Sequence, residues 1–231
     1  MSQPRTTHPL TLREADRMLT APGATFEMET ALIRGQHLRL WKHAPPTLRD
    51  VFASTTRFAQ REFVVYENER MTFAEHFEHA NRLGHALLEE FGVRPGDRVA
   101  LAMRNYPEAV VSFWAAAIVG AVVVPINAWW KGDELEYALK DCAARVLIAD
   151  QERLARLEGR MPEIIRIAVR THSAPDTVTL TDLLARYDGT QIPHLPNGYE
   201  LAPDDPATLF YTSGTTGNPK GALGTHRNIC T

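Results

Sequence analysis

Residues 211–222 read YTSGTTGNPKGA: three glycines, four hydroxyl side chains besides the leading tyrosine, and one lysine within twelve positions. Glycines and small hydroxyl residues present backbone N–H groups, and a lysine adds a movable point charge, so the natural ligand of such a loop is a chain of phosphates. The phosphate loop of ordinary nucleotide hydrolases runs Gly, four residues, Gly, Lys, then Ser or Thr, and opens directly into a helix. Here Pro219 stands before Lys220 where that pattern has glycine, and Gly221 follows it with no hydroxyl to offer a magnesium ion. The apolar run ATLFYTS precedes the loop and the small, β-tolerant GALGT follows it, which predicts strand, loop, strand. A mobile hairpin tip without ligand is the bland alternative. Arginine use weighs against it: the chain has 21 Arg and four Lys, so a lysine in this loop stands where arginine is the habitual cation.

Outward from the loop, strand and helix patterns alternate. LRDVFASTTRFA (48–59) reads as a helix, and REFVVYENERMTF as two strands about a turn at ENE. Thr72 and Glu75 have the spacing of a capping box, and Phe73, Phe77, Ala80, Gly84, Leu87, Leu88 and Phe91 make one apolar stripe, closed by Gly92. His76 and His79 sit beside glutamates one turn apart; their spacing matches neither zinc-protease helix motif, and they are read as a solvated face. Buried strands are predicted at 97–103, 144–150 and 164–170, with helices over 132–142 and in RLARLEG. The most apolar stretch, 109–126, approaches the length of a membrane span, but Gly120 and Pro125 divide it. Asn105 as N-cap with Glu108 then gives a buried helix over about 106–118 and a short strand, AVVVP. This alternation predicts an α/β fold with a mostly parallel sheet flanked by helices on both faces, ending in a glycine-rich hairpin. Pro, Gly and polar residues concentrate in the first 45 positions, in THSAPDTVT, and in YDGTQIPHLPNGYELAPDDPA, the connector into the loop. The two tryptophans of NAWWKG (127–132) follow a strand end, where loops border ligand crevices or simply pack.

Composition limits the function. With 44% hydrophobic and 23% charged residues the chain is of globular type. A net charge of −3 without a basic run argues against nucleic acid. Cys142 and Cys230 have neither metal-site spacing nor the count of a disulfide framework, which fits a reducing compartment. The N-terminus has no signal-peptide core, so a cytoplasmic location is expected, with peripheral membrane contact left open.

The loop resembles, almost residue for residue, the phosphate-binding loop of the adenylate-forming superfamily, which includes acyl-CoA synthetases, luciferases and peptide-synthetase adenylation domains. The stretches MTFAEHFEHANRLGHALLEEFGVRPGDRVALAMRNYPEAVVSFWAAAIVGAVVVPIN and DELEYALKDCAARVLIAD, and THRN after the loop, are similar to that superfamily's first subdomain in order and spacing. The resemblance divides the chain into an N-terminal extension (1–46) and a partial AMP-binding domain (47–231). It implies a carboxylic acid, ATP and coenzyme A as substrates, with Mg2+ held by residues outside this chain. The acid would form an acyl-adenylate and pyrophosphate, and a thiol would then displace AMP. Thr212, Ser213, Gly214, Thr215, Thr216 and Gly217 would meet the phosphates, and Lys220 would supply the catalytic cation. The opening region looks most like fatty-acyl and aryl-acyl CoA ligases. Adenine, ribose and magnesium partners and the C-terminal domain of that superfamily find no counterpart by position 231, so the chain is expected to be an N-terminal fragment, inactive alone. Two other readings stay open: a noncatalytic nucleotide- or pyrophosphate-binding remnant, and an adenylation module that loads a carrier protein.

Overall fold

The computed structural model describes residues 10–171, 177–212 and 217–231, and it divides into two compact units, 1–45 with 230–231 and 46–229. In the smaller unit, Thr11 caps helix α1 (Leu12–Leu19): its hydroxyl accepts from Glu14 N at 3.3 Å while the Glu14 carboxylate accepts from Thr11 N at 2.9 Å. Strands β1 (Met28–Ile33) and β2 (Gln36–Trp41) form an antiparallel hairpin. Its turn residues Arg34 and Gly35 both have positive φ, 49° and 80°, the backbone twist that a two-residue hairpin requires. A composition suggesting irregular chain thus conceals a capped helix and a hairpin.

The larger unit opens with α2 (Leu48–Ser54), where the predicted helix over 48–59 tightens after Ser54 into a 3-10 turn, Thr55–Phe58. Strands β3 (Glu62–Tyr66) and β4 (Glu69–Thr72) pair as a hairpin and lead into α3 (Phe73–Glu89). The Thr72–Glu75 capping box is present, and Ala80, Gly84, Leu87 and Leu88 of the apolar stripe are buried. His76 corrects the solvated-face expectation: it is 1% exposed, 4.6 Å from Phe63 and 5.7 Å from Phe52 between ring centroids. Neutral imidazole can join an aromatic cluster, so a histidine off the aliphatic stripe can still face inward.

The chain then alternates through β5 (Arg98–Ala102), α4 (Pro107–Ile118), β6 (Val122–Pro125), α5 (Gly132–Asp141), β7 (Val146–Asp150), α6 (Gln151–Arg156) and β8 (Ile165–Val169). Asn105 is not the N-cap of α4. Pro107, with its preset φ, occupies the first turn and shifts the cap to Tyr106, which makes no side-chain capping bond. Among the described residues no helix is long and apolar enough to cross a membrane. A short β9 (Val178–Thr179) is followed by α7 (Leu180–Arg186), a helix in a stretch that carried no helical prediction; β10 (Pro206–Thr212), β11 (Lys220–Thr225) and α8 (His226–Cys230) close the chain.

Seven strands form one sheet in the order β11-β10-β6-β5-β7-β8-β9, parallel throughout except for the antiparallel pair β10–β11. Alternate residues face opposite ways along the central strands. Ala100, Ala102, Val124, Leu147 and Ala149 pack with Leu135, Leu139, Leu154 and Leu157 of the α5–α6 side, and Cys142 is buried in the same cluster. Leu83 and Leu87 of α3 and Ala115 and Ile118 of α4 are buried too, and these two helices pack on one another. The order places β5 between the strands reached by successive crossovers, so connections leave β5 and β7 in opposite directions. Ligand crevices of open α/β sheets form at the carboxyl ends of strands near such a reversal.

Candidate functional site

The glycine-rich loop is the connection between β10 and β11. Its two ends are register partners, Thr212 opposite Lys220, and Thr212 Oγ1 donates to Lys220 O at 3.4 Å. This is strand, loop, strand, as the sequence requires. Gly221 stands where a hydrolase loop would carry a hydroxyl residue, and the packing explains its identity: a Cβ there would lie 2.9 Å from Leu209 Cδ1 on the neighbouring strand. Gly217 has φ +139°, a conformation L side chains rarely adopt, and a Cβ built on it would meet nothing within 4 Å. Ser213, Gly214, Thr215 and Thr216 lie outside the described residues.

The hairpin is held against α5 by two phenols on different elements. Tyr137 Oη donates to Pro219 O at 3.3 Å, and Tyr211 Oη donates to Asp141 Oδ2 at 2.6 Å. Burial, reinforced by the Asp141 carboxylate, raises the Tyr211 pKa far above the usual phenol range, so this hydroxyl keeps its proton and serves as a structural donor. Trp130 packs on Tyr211 at 6.1 Å between ring centroids, and both rest on the α5–α6 core. Tyr137 and Asp141 are one turn apart on α5, which puts both on the face turned to the hairpin. Sequence reading missed this brace; the i, i+4 pairing of Tyr137 with Asp141 was its only trace.

Lys220 is exposed, and among the described residues no carboxylate lies within ion-pairing distance of it. Lys42 and Lys140, by contrast, are paired with Glu27 at 2.8 Å and Glu136 at 2.6 Å. An ammonium with no carboxylate partner among the described residues, on a hairpin whose Gly217 leaves open space, suits an anion with several oxygens. Among the described residues no group of three or more His, Cys, Asp or Glu is arranged to hold a metal ion, so no magnesium ligand is assigned here. The tryptophans of NAWWKG separate in role: Trp130 is packing, whereas Trp129 is 68% exposed with the Arg104 guanidinium 4.5 Å above its ring. After the loop, His226 is buried, and its Nδ1 accepts from Leu48 N at 3.1 Å, so THRN anchors β11 to the start of α2.

Residues 51–231 match the family described as AMP-binding enzyme. The chain is 31% identical over 208 residues to a long-chain-fatty-acid–CoA ligase of Escherichia coli O157:H7, covering 79% of this chain and 37% of that protein. It is 30% identical over 189 residues to the fatty acid–[acyl-carrier-protein] ligase ScoC of Streptomyces coeruleorubidus, covering 80% and 34%. Among solved structures it is similar to the anthranilate CoA ligase AuaEII in complex with anthranoyl-AMP, with a TM-score of 0.72 and 31% identity over 78% of this chain and 35% of that one. The chain therefore spans about a third of the length of the curated ligases it matches.

Proposed function

The chain belongs to the AMP-binding enzyme family, and from that premise we propose that it carries the phosphate-handling element of an ATP-dependent acid–thiol ligase of the acyl-CoA synthetase type. In the first half-reaction a substrate carboxylate oxygen attacks the α-phosphorus of ATP, the bond to the bridging oxygen breaks, and pyrophosphate leaves with the acyl-adenylate formed. In the second, a thiol displaces AMP and loses its proton.

Thr212, Ser213, Thr215 and Thr216 offer hydroxyl and N–H donors to the phosphates, Gly214 and Gly217 allow close approach, and Lys220 balances the charge that accumulates on the departing pyrophosphate. Magnesium, when bound, supplies further neutralisation of the phosphates. The observation that carries this reading is the Lys220 ammonium, without a carboxylate partner among the described residues, at the base of a hairpin clamped by Tyr137 and Tyr211. An acid with a hydrophobic tail, fatty or aromatic, is the favoured substrate class, supported by the names of the E. coli ligase and the anthranilate ligase. Coenzyme A is the favoured thiol. A carrier-protein thiol is the second reading, supported by the Streptomyces relative.

The test is acid-dependent pyrophosphate exchange in the enzyme that contains this chain. Lys220→Ala lowers the exchange rate by about two to three orders of magnitude, while thioester formation from a supplied acyl-adenylate changes far less. Exchange at the unsubstituted rate would remove Lys220 from the reaction. Parallel thioester assays with coenzyme A and with a phosphopantetheinylated carrier decide the acceptor.

A further inference from the structure

Both legs of the glycine-rich loop touch the same helix. Before the loop, Tyr211 Oη donates to Asp141 Oδ2 at 2.6 Å; after it, Tyr137 Oη donates to Pro219 O at 3.3 Å. Tyr137 and Asp141 stand one turn apart on α5, whose other side is fixed in the core by Leu135, Ala138 and Leu139, each 0% exposed. A group carried on such a buried helix is held more precisely than one on a loop. The two contacts differ in kind: β10 is braced through the Tyr211 side chain, whereas the start of β11 is gripped by its backbone.

Strand register makes the backbone the route from α5 to Lys220. Residues paired across β10 and β11 share a face of the sheet, and the face alternates along each strand. Tyr211 faces α5 and is opposite Gly221, so Thr212 and its partner Lys220 stand on the other face. The Lys220 side chain thus leaves the strand away from α5, and Gly221, which does face α5, has no side chain to anchor. Pro219 lacks an N–H, so its carbonyl is its only backbone hydrogen-bonding group, and that carbonyl belongs to the same planar peptide as Lys220 N–H. Among the described residues no other side chain outside the hairpin hydrogen-bonds to residues 217–220.

We propose that Tyr137 is a positioning residue for acyl-adenylate formation. By holding the Pro219 carbonyl it fixes the plane of the Pro219–Lys220 peptide, and with it the direction in which the Lys220 side chain leaves β11 toward the phosphates. The inference rests on the phosphate role proposed above for Lys220 and adds to it the residue that aims the ammonium. Tyr137 exchanges no proton: its hydroxyl stays a donor to the carbonyl while the carboxylate attacks and pyrophosphate leaves. A misaimed charge loses more of its hold on the transition state than on the bound substrate, so the effect falls on kcat rather than KM. At 3.3 Å the bond is at the long end for a hydroxyl donor, so its loss costs severalfold in rate rather than orders of magnitude.

The test is a kinetic cycle in the enzyme that contains this chain, with Tyr137→Phe, Lys220→Ala and the double variant, read by acid-dependent pyrophosphate exchange. Tyr137→Phe keeps the ring and removes one hydroxyl, and its thermal transition confirms that it folds. It lowers the exchange kcat by about five- to tenfold, leaves KM for ATP within about twofold, and leaves thioester formation from a supplied acyl-adenylate unchanged. In the Lys220→Ala background the same substitution has no further effect, because no ammonium is left to aim. A purely structural role would slow both half-reactions and would persist without Lys220. Unchanged exchange in Tyr137→Phe, a rise in KM alone, equal slowing of the thioester step, or a further fall in the double variant would each overturn the proposal. With Lys220→Ala slow, any of these removes Tyr137 and leaves the phosphate role of Lys220 standing; exchange at the unsubstituted rate in Lys220→Ala removes both.

Discussion

The Tyr211 hydroxyl donates to Asp141 Oδ2 at 2.6 Å, tying the strand that enters the glycine-rich loop to the last turn of α5. The phosphate role proposed for the loop calls for a fixed base, and this bond, with Tyr137 on Pro219 O, supplies it on one side of the sheet. Tyr211→Phe keeps the ring against Trp130 and removes only the hydroxyl. Because Asp141 is exposed, the loss is expected near 1 kcal/mol, a fall in Tm of roughly 2–4 °C. Thermal melting together with amide exchange in Pro206–Thr212 checks it; unchanged melting and unchanged exchange would mean that the bond carries no energy.

How much of this was legible depends on the range of the interaction that decides it. The Thr72–Glu75 box and the stripe from Ala80 to Leu88 are local, so α3 is readable from its own residues. The α/β alternation and the strand, loop, strand order around Lys220 are readable for the same reason. His76 was not, because its burial depends on Phe52 and Phe63 arriving from other elements. Tyr211 stood in plain view beside the loop, yet its partner lies 70 positions away in sequence. Arg170, just past β8, joins Glu69 and Glu108 across 101 and 62 positions. Periodicity carries no information about such pairs.

Gly221 tests the close approach of β11 to β10. A methyl group there would stand 2.9 Å from Leu209 Cδ1, and Leu209 is itself packed against the α5–α6 core, so it yields only at a cost. Gly221→Ala is expected to destabilise by about 1–3 kcal/mol. Leu209→Ala alone leaves a gap and also destabilises. The double substitution should cost less than the two single losses added together, since the new methyl enters the space vacated. Urea midpoints for the four proteins form the cycle, and strict additivity would show that the two side chains do not meet.

Asp150 and Arg153 form the buried ion pair at the end of β7, with side chains 6% and 1% exposed and Arg153 NH1 3.1 Å from Asp150 Oδ2. The Asp150 carboxylate also caps α6 through Arg153 N at 3.1 Å and accepts from Arg104 N. Asp150→Ala leaves the buried guanidinium with only the exposed Glu152 carboxylate, 2.8 Å from NH1, and frees two N–H groups, and a loss of about 2–3 kcal/mol is expected. Replacing both residues, as Asp150→Asn with Arg153→Met, retains the cap and removes both charges, and should recover more than half of that loss. Urea unfolding measures it; a double variant no more stable than Asp150→Ala would show that neither the cap nor the weakened charge pairing sets the cost.

Acid sensitivity should have two separate windows. Burial among Phe52, Phe63 and Trp114 lowers the His76 pKa from 6.5 to about 4, and burial lowers those of His79 and His226 as well. The unfolded chain protonates these imidazoles near their ordinary value while the folded chain resists. Between pH 6.5 and about 4 the unfolded state therefore binds more protons, and stability rises with pH. The stabilisation is fully present above the ordinary value and is lost as pH falls toward 4, with His76 alone contributing up to about 3 kcal/mol. Carboxylates act lower. Glu27, held by Lys42 to about 2, and Glu75, held by the Thr72 cap, lose their contribution only as pH falls below their ordinary 4.5. His76→Phe fills the same aromatic niche without a titrating group, so it should flatten the slope of stability between pH 6.5 and 4 and leave the loss below 4.5 in place. Urea midpoints measured across that range decide the point, and an unaltered slope in His76→Phe would assign the upper window to the other two histidines.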